Sequence, residues 1–375
     1  VVIAHTIKGW GLDMAARPGN HSSLPDQKEM DQLREREGLG PDELFARFQE
    51  GTEESQFLKE RGEELYQQIL EQNQLRQRNK ERFLEKLDSL GELPGELGIP
   101  LKMASYPHTQ WMLGQMTAKL GRIANTPLDE SQLQEKQKPL KADEKPWKLP
   151  GQLMVTMAPD VGTSTNQNPQ MDGKVYSAGD VDDFEEELGV KDRKVPDLVP
   201  GVQDDDRFLR FEIVEANTMS CMGAFGRLRD TVGVPLLPLM TVYDFFVKRA
   251  LDQYFYNQYW QSSFLLVGTP SGVTLSPEGA QHGWKSDFQI PNQITWEPAF
   301  CKELDWIMAD AIRRHLEHNN KGRSGVHIRC VTRGIEQKDW MRLLKTQHRF
   351  KSGLDSEQRL HPKDHPVEGG QPEDA

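Results

Sequence analysis

Only three cysteines occur in 375 residues, Cys221, Cys301 and Cys330, with no CxxC pair and no metal-ligand spacing. That excludes a disulfide framework and suits a reducing compartment, where a buried free thiol is the usual state. Basic residues are scarce beside acidic ones, 46 Lys and Arg against 58 Asp and Glu, for a formal net charge of −12. Phosphate binding needs clustered Lys and Arg, so nucleic acid is excluded as a partner. No apolar run reaches the length of a membrane span and no signal peptide is present; the expected location is cytoplasmic, with no membrane partner. A starting Met is missing too. Val1 opens inside an apolar run, so the chain is expected to be a piece of a longer protein. The length allows about two domains.

Residues 1–7 read as an apolar strand that needs a parent sheet, followed by a loop and a short charged helix, Lys28 to Glu37. Residues 41–90 are strongly helical. Leu44 and Phe45 open one helix, and Phe57, Leu58, Leu65, Tyr66, Ile69 and Leu70 form an apolar stripe at helical period. Gly91, Pro94, Gly95, Gly98 and Pro100 mark a linker over 91–101. A second domain starts near Lys102, with Thr109 able to cap a helix running to Ile123. Residues 126–150 are polar and rich in Pro and Lys, which predicts an exposed insertion.

Leu153 to Met157 predicts the next strand. The acidic, turn-rich stretch 170–206, with Asp180 to Glu187 at its centre, reads as a surface loop. Strand–helix alternation resumes at Phe208 and ends with a helix over Ala299 to His318 and a strand over Gly325 to Cys330. Alternation of this kind predicts an α/β fold with a doubly wound, mostly parallel sheet, preceded by a helical connector. Beyond residue 336 a helix-like start gives way to a Pro-, Gly- and charge-rich tail with too little apolar content to pack.

The chemistry centres on FEIVEANTMSCMG, residues 211–223. Residues 210–214 read as a short strand, Glu215 sits at its end, and Ala216 to Thr218 form a turn into a helix over Met219 to Arg229. Ligands of open α/β sheets bind beyond the carboxyl ends of strands. Glu215 is therefore either a site group or an ordinary helix-start charge. About thirty residues on, Thr241 to Phe246 again runs from strand towards helix, with Tyr243 and Phe246 sharing a face, as core or as site. An apolar strand, Phe264 to Val267, then breaks at Gly268-Thr269-Pro270-Ser271-Gly272, and one loop carries Glu278 and His282.

This order of motifs resembles the pyrimidine-binding domain of the thiamine diphosphate-dependent transketolase superfamily. Within it the chain looks most like the homodimeric, bacterial-type pyruvate dehydrogenase first component, with transketolase the next relative. The opening run VVIAHTIKGWG, residues 1–11, is similar to the strand and loop that close the diphosphate-binding domain of that family, and Gly19-Asn20 and Met30-Asp31 fall where its inner loop is expected. The resemblance covers roughly residues 1–35 and 102–335. It implies that 1–35 is the edge and inner loop of a diphosphate-binding domain, 36–101 a helical connector, 102–335 the pyrimidine-binding domain and 336–375 a mostly disordered tail.

The same resemblance implies roles. Glu215 stands where the family keeps the carboxylate beside the aminopyrimidine ring, a position suited to proton exchange. Phe246 stacks on that ring, Tyr243 lies near substrate, Asp160 near the thiazolium, and Lys8 near the diphosphate. Glu278 and His282 are active-site groups, His282 able to hydrogen-bond substrate. Asp160 is equally an Asx turn residue; it is followed by Val161 where pyruvate dehydrogenases often carry Glu, which makes that site more transketolase-like. The superfamily's Gly-Asp-Gly…Asn motif for Mg²⁺ and diphosphate does not occur in the sequence, so the Mg²⁺ ligands are expected upstream. Register from Met30-Asp31 puts Ser23 where the family has an inner-loop His, with His21 two positions away. The implied partners are a 2-oxo acid, a second copy of the chain and a lipoyl-bearing dihydrolipoyl acyltransferase. Two alternatives stay open: a transketolase-like two-carbon transferase, and a non-catalytic homologue with a structural or regulatory role.

Overall fold

The structure, a computed structural model, describes residues 3–43, 45–101, 106–159, 161–171, 207–275, 292–317, 323–340 and 342. The chain divides into two units, Val1–Gln72 and Asn73–Ala375.

In the first unit, helix α1 spans Gln27–Arg36. Asp26 caps it by accepting the Glu29 N–H at 2.8 Å, while the Glu29 carboxylate accepts the Asp26 N–H, a reciprocal capping box. The expected strand at the start of the chain is not formed over residues 3–7: they have no ladder among the described residues, and Ile3 and Ile7 are exposed. Phe45 does not open a helix either; it lies exposed ahead of α2, which spans Glu53–Leu90. The expected apolar stripe of α2 is present, and Phe57, Leu58, Leu65, Tyr66 and Ile69 on it are exposed.

The second unit is built on a six-stranded sheet whose strands are all parallel: β1 Met154–Pro159, β2 Phe208–Phe211, β3 Leu237–Val242, β4 Phe264–Gly268, β5 Asn292–Trp296 and β6 Arg323–Arg329. Their spatial order is β2-β1-β3-β4-β6-β5. Helices α3 Thr109–Asn125, α4 Glu215–Gly226, α5 Leu251–Tyr259 and α6 Cys301–Glu317 cover it. Strands β1, β3 and β4 are buried throughout because both faces are covered. Alternate residues divide between two cores. Met154, Leu237, Leu239, Leu265, Val267 and Ile328 pack with α3 and α6, whereas Val155, Met157, Met240, Val242 and Leu266 pack with Met219 and Met222 of α4 and Tyr254 of α5. This is the doubly wound α/β fold that the alternation predicts.

Residues 126–150 are not an exposed insertion from Leu140 onwards. Leu140, Trp147 and Leu149 join the core, and Lys148 is buried with its ammonium on the carbonyls of Ile123, Ala124 (2.5 Å) and Thr126 (2.6 Å). Those are the carbonyls left over at the end of α3, so a Lys is the residue that can be buried there. Glu144 is buried beside Arg122. Burial alone would raise its pKa, but the Lys141 N–H and the Arg122 guanidinium outweigh that and hold it below the usual carboxylate range. The supposed linker also contributes: Leu97 and Ile99 are buried, with Leu97 N–H and Gly98 N–H donated to Asp305 of α6.

Candidate functional site

The strand order places a crevice. From β1 the chain goes outward to β2, then returns across β1 to lay down β3 on its other side. The carboxyl ends of β1 and β3 therefore part at a topological switch point, where open parallel sheets bind ligands. The residues that follow β1, β2 and β3 meet there.

Glu215 follows β2. The expected turn over Ala216–Thr218 is absent; α4 begins at Glu215 itself, and Thr218 donates both its N–H and its hydroxyl to the Val214 carbonyl at 3.0 and 3.1 Å. The helix start is the reason a carboxylate is tolerated there with only 6% of the residue exposed. Arg249 donates from Nη1 to Glu215 Oε1 at 3.2 Å. The same guanidinium lies over the Phe246 ring, Cζ 3.6 Å from its centroid. Carboxylate, guanidinium and aromatic face thus form one assembly. Arg249 was not singled out from the sequence, although its i+3 spacing from Phe246 is the signal that could have found it.

Tyr243 follows β3 directly. Its hydroxyl donates to Ser164 Oγ at 2.8 Å, bridging to the turn after β1. Beneath that bridge Thr165 Oγ1 and Thr241 Oγ1 are 3.0 Å apart, and Gln110 Nε2 donates to the Ser164 carbonyl at 2.8 Å. Tyr243, Phe245 and Phe246 pack as a cluster, with Phe245 and Phe246 edge to face at 4.4 Å. The Gly/Thr/Ser turn after β1 is thereby fixed against the aromatic side of the crevice.

Asp244, fully buried between these aromatics, is a further residue that sequence reasoning missed. Its Oδ2 accepts from Arg329 Nη2 at 3.0 Å and from Ser271 Oγ at 3.1 Å, and Arg329 also pairs with Glu297. A carboxylate and a guanidinium at the ends of β3 and β6 thus pin the seven-residue 3-10 helix Asp244–Ala250 that carries Phe246 and Arg249.

Lys8 belongs to the first unit, where its ammonium donates to the carbonyls of Asn20, His21 and Ser23 at 2.6, 2.7 and 3.0 Å, and Asn20 Nδ2 returns a bond to the Lys8 carbonyl at 2.9 Å. It therefore ties down the loop that holds His21 and Ser23. Beside that loop lies a polar cleft of about 380 Å³ lined in part by Asp13, Arg17, Asn20, Asp26 and Lys28. Asp160, Glu278 and His282 lie outside the described residues. Among the described residues no group of three His, Cys, Asp or Glu side chains could hold a metal ion, and no helix is long and apolar enough to cross a membrane.

No family model matches the chain. In sequence it is similar to the pyruvate dehydrogenase E1 component of Escherichia coli, 25% identical over 333 residues covering 84% of this chain and 33% of that protein. The pyruvate dehydrogenase E1 component of Cupriavidus necator is 36% identical over 108 residues, 27% of this chain and 12% of that protein. The chain thus spans a third or less of the length of these relatives. In structure it is similar to a transketolase mutant from Pichia stipitis, with a TM-score of 0.52, 16% identity and coverage of 88% of this chain and 42% of that one; this likeness establishes the fold. Sequence and fold point the same way: the chain resembles the thiamine diphosphate-dependent transketolase superfamily, and in sequence its pyruvate dehydrogenase E1 members.

Proposed function

We propose that the chain is the pyrimidine-binding portion, with the edge of a diphosphate-binding domain, of a thiamine diphosphate-dependent 2-oxo acid dehydrogenase first component. The observation that carries this is the buried Glu215 carboxylate at the switch point, linked to the Phe246 face through Arg249. The fit of the cofactor's pyrimidine half has a test in the molecule itself: a planar N–H donor, the Arg249 guanidinium, already rests on the Phe246 face and reaches Glu215. A planar ring with a donor edge suits the same pair of groups.

In this proposal Glu215 holds and exchanges a proton at its carboxylate beside the ring nitrogen, and Phe246 sets the ring plane by stacking. Bound thiamine diphosphate supplies a nucleophilic carbon for attack on the carbonyl of a 2-oxo acid, here pyruvate. Tyr243 and Ser164 line the substrate side, Asp160 serves the thiazolium, and Glu278 and His282 are active-site groups. Lys8 serves the diphosphate side through the loop it ties down, and Mg²⁺ is held by residues upstream of this chain. The acyl product passes to a lipoyl-bearing acyltransferase. A homodimer supplies the opposing domain, and residues 1–35, 36–101 and 102–335 are the edge, connector and pyrimidine domain.

The test is calorimetric titration of the chain with thiamine, beside Glu215→Gln. Saturable binding that weakens at least tenfold in the variant is expected. Equal heats in both proteins would overturn the role of Glu215. Release of CO₂ from pyruvate, measured in the native protein that carries this chain, separates the dehydrogenase from a two-carbon transferase, which would leave pyruvate untouched.

A further inference from the structure

The two partners in the Glu215–Arg249 pair are built differently. The Glu215 side chain is 8% exposed and is fixed by the first turn of α4, whereas the Arg249 side chain is 47% exposed and reaches inward on a flexible stem. A half-exposed ion pair is worth at most about 1 kcal/mol, and an exposed cation–π contact about 0.5–1 kcal/mol. The carboxylate and the ring face are therefore permanent parts of the crevice, and the guanidinium is a removable one. What Arg249 offers them is a flat, delocalised cation with an N–H edge: its carbon centre sits over the ring at 3.6 Å and one nitrogen meets the carboxylate at 3.2 Å.

We infer that Arg249 is the resident, displaceable occupant of the slot that Glu215 and the face of Phe246 form for a planar ligand with an N–H donor edge in the function proposed above. A ligand of this class competes with a group tethered inside the same molecule. Its apparent affinity falls by the fraction of molecules whose slot is open, which for contacts of this size is about tenfold. Arg249 thus keeps the buried carboxylate partnered while the crevice is empty and sets a threshold of ligand concentration for entry. The occupancy by Arg249 stands on the contacts themselves; naming the ligand as the aminopyrimidine of thiamine rests on the function proposed above.

The two parts are tested separately on the 375-residue chain. Benzamidine, a flat amidinium, probes the slot without reference to thiamine. Arg249→Ala is expected to bind benzamidine at least tenfold more tightly than the wild type in protein-observed NMR titrations, and the double variant Glu215→Gln/Arg249→Ala to lose that gain. Equal binding in wild type and Arg249→Ala, or a gain that survives Glu215→Gln, overturns the slot. Should Arg249→Ala fail to fold, Arg249→Lys keeps the charge but loses the flat fork; an intermediate gain of about threefold supports the inference and none overturns it. Thiamine is then titrated into the same proteins. A tenfold gain in Arg249→Ala extends the slot to the aminopyrimidine ring. A benzamidine gain without a thiamine gain leaves the slot standing and overturns its assignment to the aminopyrimidine ring.

Discussion

The hydroxyl of Tyr243 is 2.8 Å from Ser164 Oγ, so the residue that follows β3 is tied to the turn that follows β1. These two strands flank the switch point, and the bond spans the crevice on its exposed side. Removing it with Tyr243→Phe leaves the ring packing intact and should cost about 0.5–1.5 kcal/mol in urea unfolding. Ser164→Ala should cost a similar amount, and the double variant no more than either alone. Additive losses would mean that the two side chains act independently.

Arg329 and Asp244 form a buried pair, and removing one partner strands the other's charge. Arg329→Met should lower stability by about 3–5 kcal/mol, whereas Arg329→Met with Asp244→Leu should recover part of that loss. Denaturant midpoints of these proteins and of Asp244→Leu decide the matter; losses in the two single variants that add in the double variant would show that the pair is not coupled.

His108 caps α3 by accepting the Trp111 N–H on Nδ1 at 3.1 Å, which needs that nitrogen unprotonated. Burial pushes its pKa down, more than the nearby Val331 carbonyl pushes it up. Because the folded value is the lower one, the contribution of this cap is complete above the ordinary His range, about 6.5, and is lost as pH falls through the lowered folded value. Thermal midpoints should therefore decline on acidification below about pH 6.5. The decline should flatten in His108→Asn, which keeps an acceptor that does not titrate. Parallel pH profiles for the two proteins would remove His108 from the account.

Burial pushes the thiols of Cys301 and Cys330 up to about 12, and that of half-buried Cys221 upward as well. Thiolate is the reactive form. A disulfide reagent at pH 8 should find one slowly reacting thiol in the folded chain and three after unfolding. Cys221→Ser should abolish the native-state reaction; its persistence would place the reactive thiol elsewhere.

Several elements were legible for definite physical reasons. Phe264–Gly268 is a continuous apolar run closed by Gly and Pro turns, and it is β4. Glu215 and the Tyr243–Phe246 pair stood out because each follows a strand. The start of α4 was misplaced because Asn217 and Thr218 have the composition of a turn; the Thr218 hydroxyl bonds back to Val214 instead, which a helix accommodates. Residues 140–150 were misread because the stretch 126–150 is polar and rich in Pro and Lys, and nothing in a single sequence says that Lys148 will be buried on the end of α3. Strand β5, NQITW, is polar at alternate positions and lies at the sheet edge, so it lacked the apolar signature of its neighbours. Apart from its spacing from Phe246, nothing in the sequence distinguishes Arg249 from its neighbour Lys248, and only the fold turns it onto Phe246.

The strand order also has a temporal cost. Met154 of β1 pairs with Leu237 of β3, so the central rungs of the sheet cannot close until the ribosome has added the intervening chain. At roughly 5–20 residues per second that delay is about 4–17 s. Throughout it a strand buried on both faces in the finished protein has an open edge and no cover. A nascent chain of this topology depends on how well β1 is shielded during its own synthesis, so brief protection of that one segment should govern yield more than any gain in final stability.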